Sequence, residues 1–277
     1  MIVRVLGSGS KGNSVVIEAG RTRVLIDAGF SPRGMEKRLE FMDVPPSSIE
    51  AVIVTHEHGD HVKGVTSGAK RWGWRILATA GTRRGSASLA RASVETISAR
   101  GKFRIGDIEI ATIATSHDAN EPLAVVATSR ETGARAGIVY DLGVCTEAVM
   151  RAVYDVEILM IEANHDVEML RRGPYPPVLQ NRIRGRNGHL SNDDAAAVAR
   201  KCAHKGLTHV VLAHLSQKNN RPQVALETVR AALDGTVFSG QITAASQGRP
   251  SGPFAVAHAL APRQLELALA SENAEMN

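Results

Sequence analysis

The segment His56-Glu57-His58-Gly59-Asp60-His61 constrains the fold more than any other stretch of the chain. Three imidazoles and two carboxylates fall in one short loop, shortly after the apolar run Ala51-Val52-Ile53-Val54. Such a run reads as a buried strand, so the cluster stands at a strand end. Strand ends at a sheet rim are where layered α/β proteins place their ligands. An exposed turn would draw on Gly, Asn, Asp and Pro instead of alternating histidines. The segment therefore asks for a fold that carries a metal at a sheet edge.

The rest of the chain supplies the sheets. Residues 2–6, 15–18 and 23–27 read as strands, the last two joined as a hairpin through Ala19-Gly20-Arg21-Thr22. Gly7-Ser8-Gly9-Ser10-Lys11-Gly12-Asn13-Ser14 is a flexible loop. Its spacing is not that of a nucleotide-binding P-loop, and a strand follows instead of a helix. A helix is expected over residues 32–42, capped by Ser31 with Pro32 at its first position. Further helices are expected over 62–72, 83–92, 146–153, 192–204 and 222–233. Strands are expected over 76–79, 94–98, 108–115, 123–128, 136–140, 157–161 and 210–212, and residues 167–188 read as irregular. This order predicts an α/β sandwich, two sheets packed face to face with helices on the outer faces. The 277 residues, 43% hydrophobic, suit one domain over residues 1–262 and a polar tail that frays over 263–277.

Two cysteines, Cys145 and Cys202, lie far apart without a CxxC spacing, as expected in a reducing compartment. No apolar run approaches the ~20 residues of a membrane span. Met1–Gly7 reads as a strand and turn, not as a secretory leader. A soluble, cytoplasmic protein without a membrane partner is expected.

Three later residues repeat the context of the histidine loop. His117 follows an apolar strand at 110–116, Asp141 follows one at 137–140, and His214 follows one at 210–213. If these strands share a rim, five imidazoles and two carboxylates converge. One Zn²⁺ takes about four ligands, so seven suggest two divalent ions. Nitrogen and oxygen donors without thiolate suit Zn²⁺ or Mn²⁺, with Fe²⁺ as a further option. Glu57 is not the base of an HExxH protease, because Asp60 occupies the fourth position after His56.

The ordered series Asp27, HEHGDH, His117, Asp141 and His214 resembles the metallo-β-lactamase-fold hydrolases. The resemblance implies an αββα sandwich of two mixed sheets with metals at one edge. It implies that His56, His58 and His117 hold one metal, that Asp60, His61 and His214 hold a second, and that Asp141 bridges them. Asp27 is similar to the family aspartate that orients a metal-bound imidazole. A water shared by two such metals loses a proton near neutral pH and attacks, which serves esters, lactams and phosphodiesters alike.

Glu162-Ala163-Asn164-His165-Asp166, the run Arg171–Pro176, Gly188–Asn192, His214–Asn220 and the opening Gly7–Ser14 resemble the YycJ/WalJ branch of this fold. That branch implies a 5′→3′ exonuclease acting on DNA in mismatch repair. The same resemblance gives Asp60 a catalytic place. It makes His189 the group that helps the leaving oxygen depart, with Glu162 holding it protonated. Residues 167–188 carry five arginines against the single acid Glu168. Of these, Arg171, Arg172, Arg184 and Arg186, with Asn164 and His165, are the expected substrate contacts. A solvated loop histidine is the equal alternative for His165. His204, His209 and His258 read as structural. Aromatic residues make up only 4% of the chain, so an extended base-stacking platform is not favoured.

Three rivals stay open. One is a ribonuclease Z-like or small cyclic-phosphate phosphodiesterase, though no long insertion provides an RNA-gripping arm. Another is a β-lactamase or thioester hydrolase, which would generally lack the aspartate at 141. The third is a non-catalytic nucleic-acid-binding module, which would not need an intact ligand set.

Overall fold

In the computed structural model, residues 1–257 are described. His258 and the tail expected at 263–277 lie outside the described residues. Short runs rich in Val, Ile and Ala become strands, as their pleated packing favours. The first group is β1 (Ile2–Gly7), β2 (Ser14–Ala19), β3 (Thr22–Ile26), β4 (Ala51–Ile53), β5 (Arg75–Ala78) and β6 (Val94–Thr96). The second is β7 (Gly101–Ile105), β8 (Ile108–Ala114), β9 (Leu123–Ser129), β10 (Arg135–Val139), β11 (Ile158–Glu162), β12 (His209–Ala213) and β13 (Gln241–Ala244). Strand β14 (Ser251–Ala255) returns to the first sheet beside β1.

Each sheet has seven strands, in the orders β14-β1-β2-β3-β4-β5-β6 and β13-β12-β11-β10-β9-β8-β7. Strands β3 to β6 run parallel, and so do β10 to β13. Val5, Ile17, Ile26 and Ile53 of one sheet meet Ile110, Val125, Ile138 and Met160 of the other in a solvent-free core.

Helices close the outer faces. On the first sheet lie α1 (Pro32–Phe41), α2 (Gly59–Val62) and α3 (Val65–Trp72), followed by α4 (Ala80–Gly85) and α5 (Ala87–Ala90). Met35, Leu39 and Val65 pack there on Leu25, Val52 and Ile76. On the second lie α6 (Glu147–Val153), α9 (Asn192–Lys201) and α10 (Pro222–Leu233), while the short α7 (Val167–Arg172) and α8 (Pro177–Ile183) line cavities near His189. Val149, Ala195 and Val229 pack on that second sheet with Leu159 and Leu212. The result is the expected αββα sandwich. No helix of the described residues is long and apolar enough to cross a membrane.

Several boundaries differ from the sequence expectation for local reasons. The helix expected over 62–72 is two pieces. Gly64 N donates to Ala28 O at 2.7 Å, and a Cβ at Gly64 would lie 2.1 Å from Phe30 O. The helix expected over 83–92 breaks at Ser86, whose hydroxyl caps α5 through Leu89 N. The segment 167–188, expected to be irregular, holds α7, capped by Asp166, and α8, which begins at Pro177. Helix α9 starts on a full capping box between Ser191 and Asp194 and ends at Lys201, short of His204.

Candidate metal centre

Among the described residues, three of the four non-glycine residues with positive φ stand where strands meet the rim: Asp27 (57°), Asp141 (53°) and His214 (52°). Each directly follows or lies within two residues of its strand, β3, β10 or β12. The left-handed conformation costs of order 1–3 kcal/mol per residue and persists only where the surroundings enforce it. Here it turns the side chain out of the sheet's alternation and into the rim.

A first set of nitrogens faces one point. His56 Nε2 lies 3.1 Å from His58 Nδ1, and His117 Nε2 lies 3.3 Å from the same atom. A tetrahedral Zn²⁺ with bonds of about 2.0–2.1 Å sets ligand–ligand edges of roughly 3.3 Å. Outside this set, His56 Nδ1 contacts Thr55 Oγ1 at 3.1 Å, and His117 Nδ1 contacts Gly188 O at 3.1 Å.

The second set is Asp60, His61 and His214. Asp60 Oδ2 lies 3.4 Å from His61 Nε2 and 3.5 Å from His214 Nε2. Asp141 stands between the sets. Its Oδ2 is 3.0 Å from His61 Nε2, and a further cluster groups it with His56 and His61. Asp141 Oδ2 and His214 Nε2 are both buried, and beyond the neighbouring ligand atoms at 3.0 and 3.5 Å neither has a hydrogen-bond partner. An unsatisfied buried polar atom costs roughly 1–3 kcal/mol, and divalent cations would satisfy both. The donor chemistry and spacing fit divalent metal ions.

Outer partners fix the imidazoles. Asp27 Oδ2 is 2.7 Å from His61 Nδ1 and accepts from Tyr140 Oη at 2.8 Å and Thr55 Oγ1 at 2.7 Å. Glu162 Oε1 is 2.7 Å from His189 Nδ1 and 3.0 Å from His214 Nδ1. Asn164 donates to His214 O at 2.9 Å, and Ser8 Oγ accepts from His214 N at 2.8 Å.

The charges follow from this packing. Burial, reinforced by the His61 charge, pushes the His56 imidazole well below its ordinary pKa. Burial lowers His117 as well. At His61 burial acts the same way, but Asp27 and Asp141 outweigh it and raise the pKa. Burial is likewise overcome at His214 by Asp141, Asp60 and Glu162, and at His189 by Glu162. Burial would raise Asp60 and Asp141, yet their histidine partners hold both below the ordinary carboxylate range. Metal uptake here would displace protons from His61 and His214.

A cleft of about 250 Å³ opens on these groups, lined by Ser10, His58, Asp60, Asp141, His189 and Arg182 among others. Arg182 is the one arginine on its wall, and an ion pair with Asp118 holds it there. The arginines singled out from sequence lie elsewhere. Arg171 and Arg172 are exposed on α7 and both pair with Glu168. Arg184 and Arg171 line a separate cavity of about 110 Å³ beside His189. Arg186 is exposed, with its carbonyl held by Ser116. Asn164, expected to meet substrate, is buried with its amide spent on His214. His165 is buried in the wall of the smaller cavity, so the solvated-loop reading is corrected. Glu57 accepts from Asn120 N and Nδ2 and so ties down the loop after His117. His204 bonds Val156 O, and His209 packs on Phe254.

Sequence reasoning missed Asn13, whose amide is 3.1 Å from Asp60 Oδ2 and 3.0 Å from His61 Nε2. Its signal was the Gly-rich loop of residues 7–14, which reads as flexible but is closed by Asn13 onto Gly9. Asp118 and Tyr140 were missed as well. Both directly adjoin a candidate ligand, a position that strand periodicity does not weigh.

Known proteins resemble this chain in sequence and in fold. Residues 22–215 match the model of the β-lactamase superfamily domain. The chain is 30% identical over 242 residues to a Bacillus anthracis protein named exodeoxyribonuclease YycJ, covering 84% of this chain and 89% of that one. It is 33% identical over 231 residues to a Streptococcus pneumoniae protein named exodeoxyribonuclease WalJ, covering 81% and 85%. Among solved structures, the metallo-β-lactamase-fold protein YhfI of Bacillus subtilis superposes with a TM-score of 0.64 at 15% identity, covering 91% of this chain and 99% of that one.

Proposed function

The chain belongs to the β-lactamase superfamily, and from that premise we propose that it is a dinuclear metal-dependent phosphodiesterase, a 5′→3′ DNA exonuclease of use in mismatch repair. One observation carries the reading. Seven candidate ligands from four separate chain segments meet at one rim, with His189 and Glu162 beside them. The names of the two relatives support DNA as the substrate.

In this reading His56, His58 and His117 hold one divalent ion, Asp60, His61 and His214 a second, and Asp141 lies between. When bound, such ions lower the pKa of a water and neutralise charge on a phosphate. The protein supplies the rest. Asp27 holds the His61 proton on Nδ1, leaving Nε2 to face the cleft. Glu162 keeps His189 protonated, so that His189 donates to the oxygen that leaves. Arg182 reaches a phosphate oxygen from the cleft wall.

End-labelled single- and double-stranded DNA and RNA, assayed with Zn²⁺, Mn²⁺ and Mg²⁺, test the reading. Release of 5′ nucleotides from DNA, lost in Asp60→Ala, is expected. Metal-loaded protein that cleaves no nucleic acid overturns it. Stepwise release from RNA, or nitrocefin turnover at a comparable rate, would favour the ribonuclease Z-like or lactamase rivals.

A further inference from the structure

A groove of about 920 Å³ lies beside the metal cleft and exceeds it in volume. It begins at His117, Ser116 and Asn187 and runs along the outer face of β8 to Arg100 and Lys102 at the start of β7. Its floor is made of apolar groups, among them Ala111 and Ile113. Strand register explains this. Lys102 pairs with Ala111, and Gly101 with Thr112, so Lys102, Ala111 and Ile113 share the face away from the core. Helix α6 covers only part of that face, and Ala148 and Ala152 on it form the opposite wall.

We propose that this groove carries a single strand of nucleic acid into or out of the metal cleft past His117, with Arg100 and Lys102 gripping its phosphates. The inference rests on the phosphodiesterase reading above and names where the polymer lies.

Three observations select this occupant. The groove adjoins the metal cleft, since His117 lines both. The charge is complementary: Arg100 and Lys102 are exposed, form no ion pair among the described residues, and no acidic side chain lines the groove. The metal cleft by contrast holds Asp60, Asp118 and Asp141. The dimensions also agree. From Ala111 to His117 an extended chain covers roughly 20 Å, room for a few nucleotides, and a smooth apolar floor accepts sugars and base faces without reading sequence. Phosphate contacts of this kind fix register and orientation.

The test uses the full chain, loaded with metal, against 5′-labelled single-stranded DNA of graded length and the minimal diester bis(p-nitrophenyl) phosphate. Two variants are compared: R100E/K102E, which reverses the grip, and A148W, which fills the groove without touching its charge. In the wild type, kcat/KM should climb as the strand lengthens past a dinucleotide. In both variants the ratio of kcat/KM for a long strand to that for the minimal diester should fall by about tenfold or more. Anisotropy of a labelled strand gives a readout independent of cleavage. The salt slope of binding should flatten by about 0.7 per contact in R100E/K102E and hold in A148W.

Unchanged length dependence and unchanged strand binding in both variants would overturn the proposal. That result would leave Lys102 as a charge guarding an edge strand, or the groove as a seat for a peptide. Strand binding that both variants weaken, in a protein that cleaves nothing, would sustain the groove and sink the phosphodiesterase reading.

Discussion

His61 Nδ1 lies 2.7 Å from Asp27 Oδ2, and both side chains are sealed from solvent. Three donors, from His61, Thr55 and Tyr140, meet that one oxygen, and Thr55 N donates to the other at 2.8 Å. Asp27→Asn keeps the shape and tolerates the positive φ. Whichever way the amide sits, however, an NH₂ faces a donor. The His61 tautomer is then no longer fixed. Affinity for the metal at Asp60, His61 and His214 should drop by roughly 10–100-fold, with the circular dichroism spectrum unchanged. Competition with a chromogenic chelator measures it, and equal affinity in the variant would refute the orienting role.

Gly29 allows a prediction that touches no ligand. A Cβ there would lie 1.7 Å from Asp60 O, and Gly29 N is already bonded to Asn13 O. Gly29→Ala must displace the Asp60 backbone. The overpacking should cost about 1–3 kcal/mol in urea denaturation. Metal content after dialysis should fall in the same variant. A variant that unfolds more readily but loses no metal would separate the two effects and contradict this account.

His189 is expected to act on the leaving oxygen and not on the metals. His189→Gln should lower kcat on DNA by about 10²–10⁴-fold while metal content stays at the wild-type level. An activated diester with a p-nitrophenolate leaving group needs no proton, so its turnover should fall far less. Equal losses on both substrates would place His189 in binding or folding instead.

Glu18 links three strands and gives the acid side of the stability profile. Its Oε2 accepts from Arg23 Nε at 2.7 Å and from Arg4 Nη1 at 3.0 Å. Burial alone would raise its pKa, but the bonds and charges of Arg23 and then Arg4 hold the carboxyl below its ordinary value. A carboxylate depressed in the folded state adds stability above its unfolded pKa. That stability is lost as pH falls through the folded value. Glu18→Gln should therefore be less stable than wild type near neutral pH, by of order 1 kcal/mol or less. The gap should close toward pH 3. Urea midpoints at a series of pH values read this directly, and a gap that widens in acid would refute it.

What the sequence discloses follows its physics. Asp27, Asp141 and His214 are legible because each ends an apolar strand, and strand ends gather at a rim. Their positive φ values are not legible, because only the closed site enforces them. Gly101–Ile105 alternates in Lys-Phe-Arg-Ile, an edge-strand signal that a search for apolar runs passes over. Helices α7 and α8 span only 6 and 7 residues amid Pro and Gly, too short for periodicity to register. The basic segment was visible as a whole. Which arginine enters the cleft depends on Asp118, 64 residues away in sequence, and composition carries no such information.

Arg182 should accordingly outweigh its neighbours. It lines the cleft and is braced by Asp118, whereas Arg171 and Arg172 spend their charge on Glu168 at the surface. A charge-assisted bond to phosphate is worth about 1.5–3 kcal/mol, so Arg182→Ala should raise KM for DNA by roughly 10–150-fold. The double variant R171A/R172A should change it by less than about threefold, the scale of an exposed ion pair. Asp118→Asn frees Arg182 without removing it, and its KM should fall between the two. Steady-state kinetics on one labelled strand rank all three. A larger effect from R171A/R172A than from Arg182→Ala would move the phosphate grip from the cleft wall to α7.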